Sequence, residues 1–305
     1  MSAPVQVRAE VLQNQEAGAY RHLMLHAPGI AAQARPGQFV ACTVGGEESG
    51  LLLRRSFSLH RADPGSGTVE VIVAAHGPGT RWITERAPGL TLDVVGPLGR
   101  GFVLPREPVA TVLVGGGYGA APLGWLAQML RAGGCRVDVV VGAGDAGRLF
   151  GQHQARRLAD SVTVTTDDGS AGTRGRVTDV MPELMRRHAT SVVYACGPMA
   201  MLRAVHEVAR AEGASSQLAV EESMACGIGV CMTCVLPVRD PDGVTRMARA
   251  CLEGPVFGGE ALRWDAISAA GSAVPDDCLG APVSSAPATQ APVSGAPGSV
   301  TGGRA

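Results

Sequence analysis

Short apolar or alternating stretches punctuated by turns dominate the first hundred residues. QFVACTV (38–44), TVEVIVAAH (68–76) and LTLDVVG (90–96) each read as a strand, and PG, GG, PGSG and GPLG mark the turns around them. Residues 1–103 are therefore predicted to form a small antiparallel β-barrel. After Val109 the pattern changes to strand then helix: VATVLV, AAPLGWLAQMLRAGG, RVDVVVGAG, SVTVTTDDG, then SVVYACG followed by PMAMLRAVHEVARAEG. This alternation predicts a parallel sheet covered by helices over residues 104–218. Residues 219–263 are too few for a large core of their own. The overall class is multidomain, β plus α/β. Residues 266–305 read as a disordered Pro/Ala/Ser tail, because GAPVS, SAPAT, QAPVS and GAPGS repeat with hardly a large apolar side chain to offset the entropy of ordering.

The stretch Val109 to Leu130 contains no charged residue and on length alone would suit a membrane helix. Its interior, GGGYGAAPLG, argues otherwise, since glycines and a proline would break a lipid-exposed helix. A buried strand, a glycine turn and a helix fit better, so no membrane association is expected. A net charge of −1, with no basic run longer than Arg54-Arg55, Arg156-Arg157 and Arg186-Arg187, excludes an electrostatic footprint for nucleic acid. The amino terminus lacks the basic and apolar segments of a secretory signal, so the expected compartment is the cytoplasm. Eight cysteines in that setting point to thiol or metal chemistry rather than disulfides.

Four of those cysteines, Cys226, Cys231, Cys234 and Cys251, have the spacing C-x4-C-x2-C-x16-C. Structural zinc sites generally use two C-x2-C knuckles or a Cys/His mixture, whereas a plant-type [2Fe-2S] cluster uses C-x4-C-x2-C and a distant fourth cysteine. Only one knuckle is present and no histidine lies between Cys226 and Cys251, so the spacing favours the cluster over zinc. Gly227 and Gly229 permit a loop that wraps around it.

A one-electron carrier implies a partner for its electrons. In LLLRRSFSLH, Arg55 precedes Ser56 and Ser58 on a strand pattern that could present side chains to a diphosphate and an isoalloxazine. Alone, the motif reads by default as an exposed strand with a solvated arginine. Gly79 and Thr80 in HGPGTRWI could bring backbone N–H groups to a phosphate. GGGYGA, with Gly117, Tyr118 and Gly119, follows a strand, opens a helix and satisfies G-x-G-x-x-A. The acidic ribose ligand is missing from the end of the next strand, where Asp138 lies inside instead. Cys196, Gly197 and Pro198 stand where a later strand meets its helix, at the edge where open parallel sheets bind ligands.

In this order RRSFSL, GPGT, GPLGRGF, GGGYGAAPL, DDGSAGTRGRVTD, YACGPMAM, EESMACGIGVCMTC and ACLEGPVF resemble the electron-transfer subunits of class 1B dihydroorotate dehydrogenases, within the ferredoxin-NADP reductase superfamily. The resemblance spans residues from about 5 to 260 and is most specific in the cysteine segment. It implies an FAD-binding barrel, an NAD-binding sheet and a C-terminal [2Fe-2S] segment. It would place FAD on Arg55, Ser56, Phe57, Ser58, Ile72, Val73, Ala74, Gly79 and Thr80, NAD at Gly117, Tyr118, Gly119, Cys196, Gly197 and Pro198, and the cluster on the four cysteines. Ser56 stands where the family commonly has proline. The implied role is to carry electrons from the FMN of a separate catalytic subunit through [2Fe-2S] and FAD to NAD+, in a heterotetramer with two copies of each subunit. No residue is expected to abstract a proton from dihydroorotate. The rival readings are a small flavin and iron-sulfur subunit of another NAD(P)-linked ferredoxin reductase or hydrogenase-type complex, and a zinc-stabilised binding module.

Overall fold

Alternate residues of the first six strands are apolar and turn inward, and the sheet they make closes on itself. The computed structural model describes residues 3–46, 49–268 and 271–280. Strands β1 (Val5–Ala17), β2 (Tyr20–His26), β3 (Phe39–Cys42), β4 (Arg55–Asp63), β5 (Thr68–Val73) and β6 (Thr91–Leu98) form a closed antiparallel barrel in the order β1-β2-β5-β4-β3-β6. Its core holds Leu23, Leu25, Val40, Leu59, Val71 and Val94, with Ile30 supplied by the short helix α1 (Pro28–Ala31). Helix α2 (Pro78–Thr84) adds Ile83. Closure leaves no barrel edge to pair with another chain.

The second half is a sheet in the order β10-β9-β8-β7-β11-β12-β15. Strands β7 (Ala110–Gly116), β8 (Arg136–Ala143), β9 (Ser161–Thr166), β10 (Thr173–Arg174), β11 (Val192–Cys196) and β12 (Ser215–Ala219) are parallel. Strand β8 is buried from Val137 to Gly142, which is why its sequence there is apolar on both faces except at Asp138 rather than alternating. Helices α3 (Leu123–Ala132) and α4 (Gln152–Leu158) cover one face through Leu126, Leu130 and Ala155, against Leu113, Val139 and Val141. Helices α5 (Val177–His188) and α6 (Met199–Ala211) cover the other through Met181, Leu202 and Val205, against Val112, Val114 and Val140. Among the described residues no helix is long and apolar enough to cross a membrane. The uncharged stretch after Val109 is β7, a turn at Gly117–Ala120 and α3.

Beyond β12 the cysteine loop leads into a hairpin of β13 (Val235–Arg239) and β14 (Thr245–Arg249), then helix α7 (Ala250–Glu253). Strand β15 (Val256–Gly258) pairs antiparallel with β12, so this segment borrows the sheet and the core it lacks by itself. The prediction of a tail from residue 266 needs correction for its first part. Strands β16 (Ile267–Ser268) and β17 (Gly271–Ser272) pair, Ile267 and Cys278 are buried, and the Leu279 N–H donates to the Thr245 carbonyl at 2.7 Å. Arg263 holds Asp265 and Asp277, each at 2.8 Å, which pins the segment to the hairpin. These are ordering contacts that composition alone does not reveal. Residues 281–305, which hold all of the five-residue repeat but Gly280, lie outside the described residues.

Leu202 is fully buried, whereas the Arg203–Glu207 pair next to it is half exposed. Leu202→Ala is expected to lower stability by about 2–5 kcal/mol, and Arg203→Ala by less than about 1 kcal/mol, as read from denaturant midpoints at constant slope.

Candidate flavin, nucleotide and cluster site

The cysteine loop owes its shape to three left-handed residues. Gly227 has φ of 71°, Gly229 of 80°, and Met232, not a glycine, of 61°. This path turns the backbone inward, so that the N–H groups of Ile228 and Val230 donate to Cys226 Sγ at 3.5 and 3.4 Å. The Thr233 hydroxyl donates to Cys231 Sγ at 3.2 Å, and the Cys251 N–H to Cys234 Sγ at 3.4 Å. At Gly229 a Cβ would stand 2.2 Å from the Leu252 side chain, and the Gly229 carbonyl accepts from Arg249 at 3.1 Å.

The four thiols stand as two pairs. Cys231 lies against Cys226, and Cys251 against Cys234. Hydrogen bonds, first from Thr233 and then from Cys226, lower the Cys231 thiol to about 6, while burial and the Cys234 contact push Cys251 up to about 12. No three of the four sulfurs lie within 4.8 Å of one another, a spread that suits two irons, each taking one pair, better than one tetrahedral zinc.

The cluster loop does not stand alone. Phe39 and Ala41 of β3 and Leu98 of β6 share one buried cluster with Cys234 and Cys251, a Cβ on Gly227 would meet the same three barrel residues at 3.5–3.7 Å, and Ala41 is the register partner of Ser56 on β4. The loop is therefore packed one strand away from the RSFS motif. Arg55 and Gly79 meet as well, since a Cβ on Gly79 would stand 2.8 Å from Arg55 Nε. The Arg55 guanidinium is steadied by the Leu53 carbonyl at 2.6 Å.

Other members of the predicted flavin set divide by face. Ser56 and Ser58 alternate with Phe57, whose side chain is in the barrel core and so leaves only its backbone for a ligand. Val73 is likewise a core residue, while Ile72 and Ala74 pack with Tyr20 and Ala121 on the outer side. The Thr80 hydroxyl accepts the N–H groups of His76 and Gly77, both at 3.0 Å. Those two amides are thus committed to the turn before α2, which Thr80 shapes, and are not free for a phosphate.

Between barrel and sheet lies a cavity of about 910 Å³. It is lined by Gly117, Tyr118, Gly119 and Pro198 from the predicted nucleotide set and by Ala74 from the flavin set. Cys196 and Gly197 do not line it but stand behind Gly119: a Cβ on Gly119 would collide with the Cys196 carbonyl at 2.6 Å, so only glycine lets these turns close. The buried Cys196 thiol is pushed up to about 12 by desolvation, with Glu221 adding to it.

The cavity also draws on residues outside the predicted nucleotide set, although Asp167, Arg176 and Glu221 lie within the DDGSAGTRGRVTD and EESMACGIGVCMTC motifs. Asp167 lines it from the end of β9, one strand further out than the position where an acid was sought. Asp138 has a structural task, fully buried and held by Arg136 at 2.9 Å and by Ser161 at 2.6 Å. Glu221, just past β12, accepts from the Tyr118 hydroxyl at 2.6 Å; burial, then this bond, raises the phenol. Arg148, Arg176 and His76 complete the wall.

A closed barrel beside a parallel sheet, a dinucleotide-sized cleft between them and a four-cysteine loop against the barrel define an NAD-linked flavin and iron-sulfur reductase chain. Comparison with known proteins specifies it further. Residues 221–263 match the family model for the iron-sulfur cluster binding domain of dihydroorotate dehydrogenase B. The electron transfer subunit of dihydroorotate dehydrogenase B (NAD(+)) from Desulforamulus reducens is 36% identical over 248 residues, covering 80% of this chain and 92% of that one. Its counterpart from Bacillus caldolyticus is 41% identical over 230 residues, covering 75% and 86%. The chain belongs to this family of electron transfer subunits. Among solved structures, a chain of the NADH-dependent reduced ferredoxin-NADP oxidoreductase matches with a TM-score of 0.75 and 30% identity, over 85% of this chain and 91% of that one. A ferredoxin NADP+ reductase from Neisseria gonorrhoeae, 16% identical with a TM-score of 0.55 over 68% and 92%, shares the fold.

Exposure and the lowered thiol make Cys231 the reactive cysteine of iron-free protein. At pH 7 iodoacetamide should label it first, with the rate falling as pH drops below about 6. Cys42 and Cys196, buried and pushed up to about 12, should stay unlabelled in the folded chain, as peptide mapping would read.

Proposed function

We infer that this chain is the electron-transfer subunit of a dihydroorotate dehydrogenase B, and that it joins a separate FMN-containing catalytic subunit that oxidises dihydroorotate in pyrimidine (UMP) biosynthesis. NAD+ is the final acceptor. Two copies of each subunit, working in the cytoplasm, are part of this proposal. The observation that carries it is the packing of Cys234 and Cys251 with Phe39 and Ala41 of β3, which sets the four-cysteine loop one strand away from Arg55 to Ser58. When bound, FAD would supply the exchange between hydride and single-electron chemistry, and the [2Fe-2S] group would supply single-electron carriage.

The chain's own residues bind, orient and exclude water. Arg55 offers a guanidinium to a diphosphate, with Gly79 leaving room for it; Ser56 and Ser58 offer hydroxyls on the outer face. Cys226, Cys231, Cys234 and Cys251 would hold the cluster, with the amides of Ile228 and Val230 stabilising negative charge on Cys226. The glycine turn at Gly117–Gly119 and the Cys196–Pro198 turn let a nicotinamide nucleotide approach the backbone. Asp167 would accept from ribose hydroxyls and repel a 2′-phosphate, which favours NAD over NADP. Ile228, Val230 and Met232 are exposed apolar residues on the cysteine loop itself, a surface suited to a catalytic subunit that must come close to the cluster.

The 30% likeness to a ferredoxin-NADP oxidoreductase chain favours a second reading, a flavin and iron-sulfur subunit of another NAD(P)-linked complex. Co-purification with the partner chain separates the two. A partner that binds FMN and, with dihydroorotate, drives NAD+ reduction supports the first reading; one carrying several iron-sulfur clusters and inert to dihydroorotate supports the second.

Cys231→Ser is expected to remove the cluster's visible absorbance and bring dihydroorotate-driven NAD+ reduction by the complex to background. FAD content and NADH reduction of artificial acceptors should persist. Loss of flavin with the cluster would contradict separate sites. Asp167→Ser should raise the NADPH to NADH ratio of kcat/KM by about tenfold, the equivalent of roughly 1.4 kcal/mol; an unchanged ratio would remove Asp167 from the nucleotide site.

A further inference from the structure

One polar cluster on the outer face of the barrel has no part in the electron path. His22 on β2, Glu70 on β5 and His60 on β4 project from three neighbouring strands. His22 Nε2 meets Glu70 Oε2 at 2.7 Å, and the two imidazole rings stand edge to face with centroids 5.5 Å apart. One donor atom from each of the three side chains lies within 4.8 Å of the other two, and among the described residues no other set of histidine, cysteine, aspartate and glutamate donors does this. His60 and Glu70 are buried, at 6% and 9% exposure, while His22 is partly open to solvent.

The tautomer of His60 is set from outside the barrel. Its Nδ1–H donates to the carbonyl of Ala121 at 2.5 Å, so the ring's lone pair sits on Nε2, and no hydrogen bond to that nitrogen occurs among the described residues. A histidine with one nitrogen fixed by a backbone carbonyl and the other bearing a lone pair is in the form that ligates metals. The His22–Glu70 hydrogen bond accounts for those two groups, but it leaves the Nε2 of the second imidazole without a partner among the described residues. Two imidazoles and a carboxylate are the protein donors of a three-residue zinc site, with water in the fourth place.

We propose that His22, His60 and Glu70 bind one divalent transition-metal ion, Zn2+ being the cation that the donor set suits. On binding, the His22 proton now facing Glu70 moves to Nδ1, which frees Nε2 as a ligand. The site fastens the barrel to the nucleotide-binding half, because Ala121 lies directly after the Gly117–Ala120 turn and before α3. Phe150, whose ring centroid is 5.9 Å from that of His60, closes the cluster on the same side.

The test uses the full chain with its flavin and cluster in place, so that the four cysteines are occupied. It is titrated with Zn2+ alone, freed of unbound metal by gel filtration, and analysed for zinc and iron. The expected result is one zinc per chain beyond an unchanged iron content, with a rise in melting temperature that EDTA reverses. His22→Gln and Glu70→Gln should each weaken uptake by about tenfold or more and abolish the zinc-dependent rise, with flavin content and melting in EDTA as in the unsubstituted chain. No zinc above the iron content in the unsubstituted chain would overturn the proposal, whatever the variants do. Equal uptake by a folded His22→Gln chain would overturn it too, by placing the metal elsewhere. Metal content is read without turnover, so neither outcome bears on the electron-transfer reading.

Discussion

Cys234 and Cys251 are buried in one cluster with Phe39, Ala41 and Leu98, and this packing couples the cysteine loop to the barrel. Electron transfer between two groups held by one chain needs them close and fixed, and here a shared apolar core supplies both. Left-handed φ at Gly227 and Gly229 lets the loop bend back on itself with its amides pointing at sulfur. Arg249 then ties the Gly229 carbonyl to the hairpin, while Glu253 binds Arg246 and so joins α7, with its neighbouring Cys251, to β14. The fourth cysteine is thereby positioned by the same short segment whose β15 completes the sheet.

The nucleotide side follows a similar logic. Glycines at 116 and 119 are demanded by the approach of Met201, Pro198 and Cys196, so two turns from separate strands can converge at one end of the sheet. The cavity wall is then filled in by side chains from both halves. Tyr20 of the barrel packs 5.7 Å from Tyr118 of the sheet, and Tyr118 in turn reaches Glu221 just past β12. A ligand in this space touches barrel and sheet at once, so the orientation of the two halves is part of the site.

Much of this was legible in the chain itself, and the reasons differ by residue. The cysteine spacing was decisive because ligand number and order along a loop constrain the metal directly. The strands β7, β8 and β11 showed as apolar runs because both their faces are covered. Strands β1 and β2 were harder to see, since VQVRAEVLQNQEA exposes one polar face and hides few apolar residues. Asp167 and Glu221 escaped because their importance arises from where β9 and β12 end in space, which spacing does not encode. Phe57 and Thr80 show the converse: a motif marks a position, while alternation along a strand sends Phe57 to the core and a local turn consumes the Thr80 hydroxyl. The docking of Cys278 and Asp277 on the hairpin escaped for want of any local pattern.

The account's central claim is that the cysteine loop and the flavin strand form one conducting unit within this chain. Anaerobic mixing of the flavin- and cluster-loaded chain with NADH, followed by freeze-quench electron paramagnetic resonance, tests it most directly. The spectrum of a reduced [2Fe-2S] cluster should appear together with bleaching of the flavin, without any other protein present. A flavin that bleaches fully while the cluster stays oxidised and silent would contradict it.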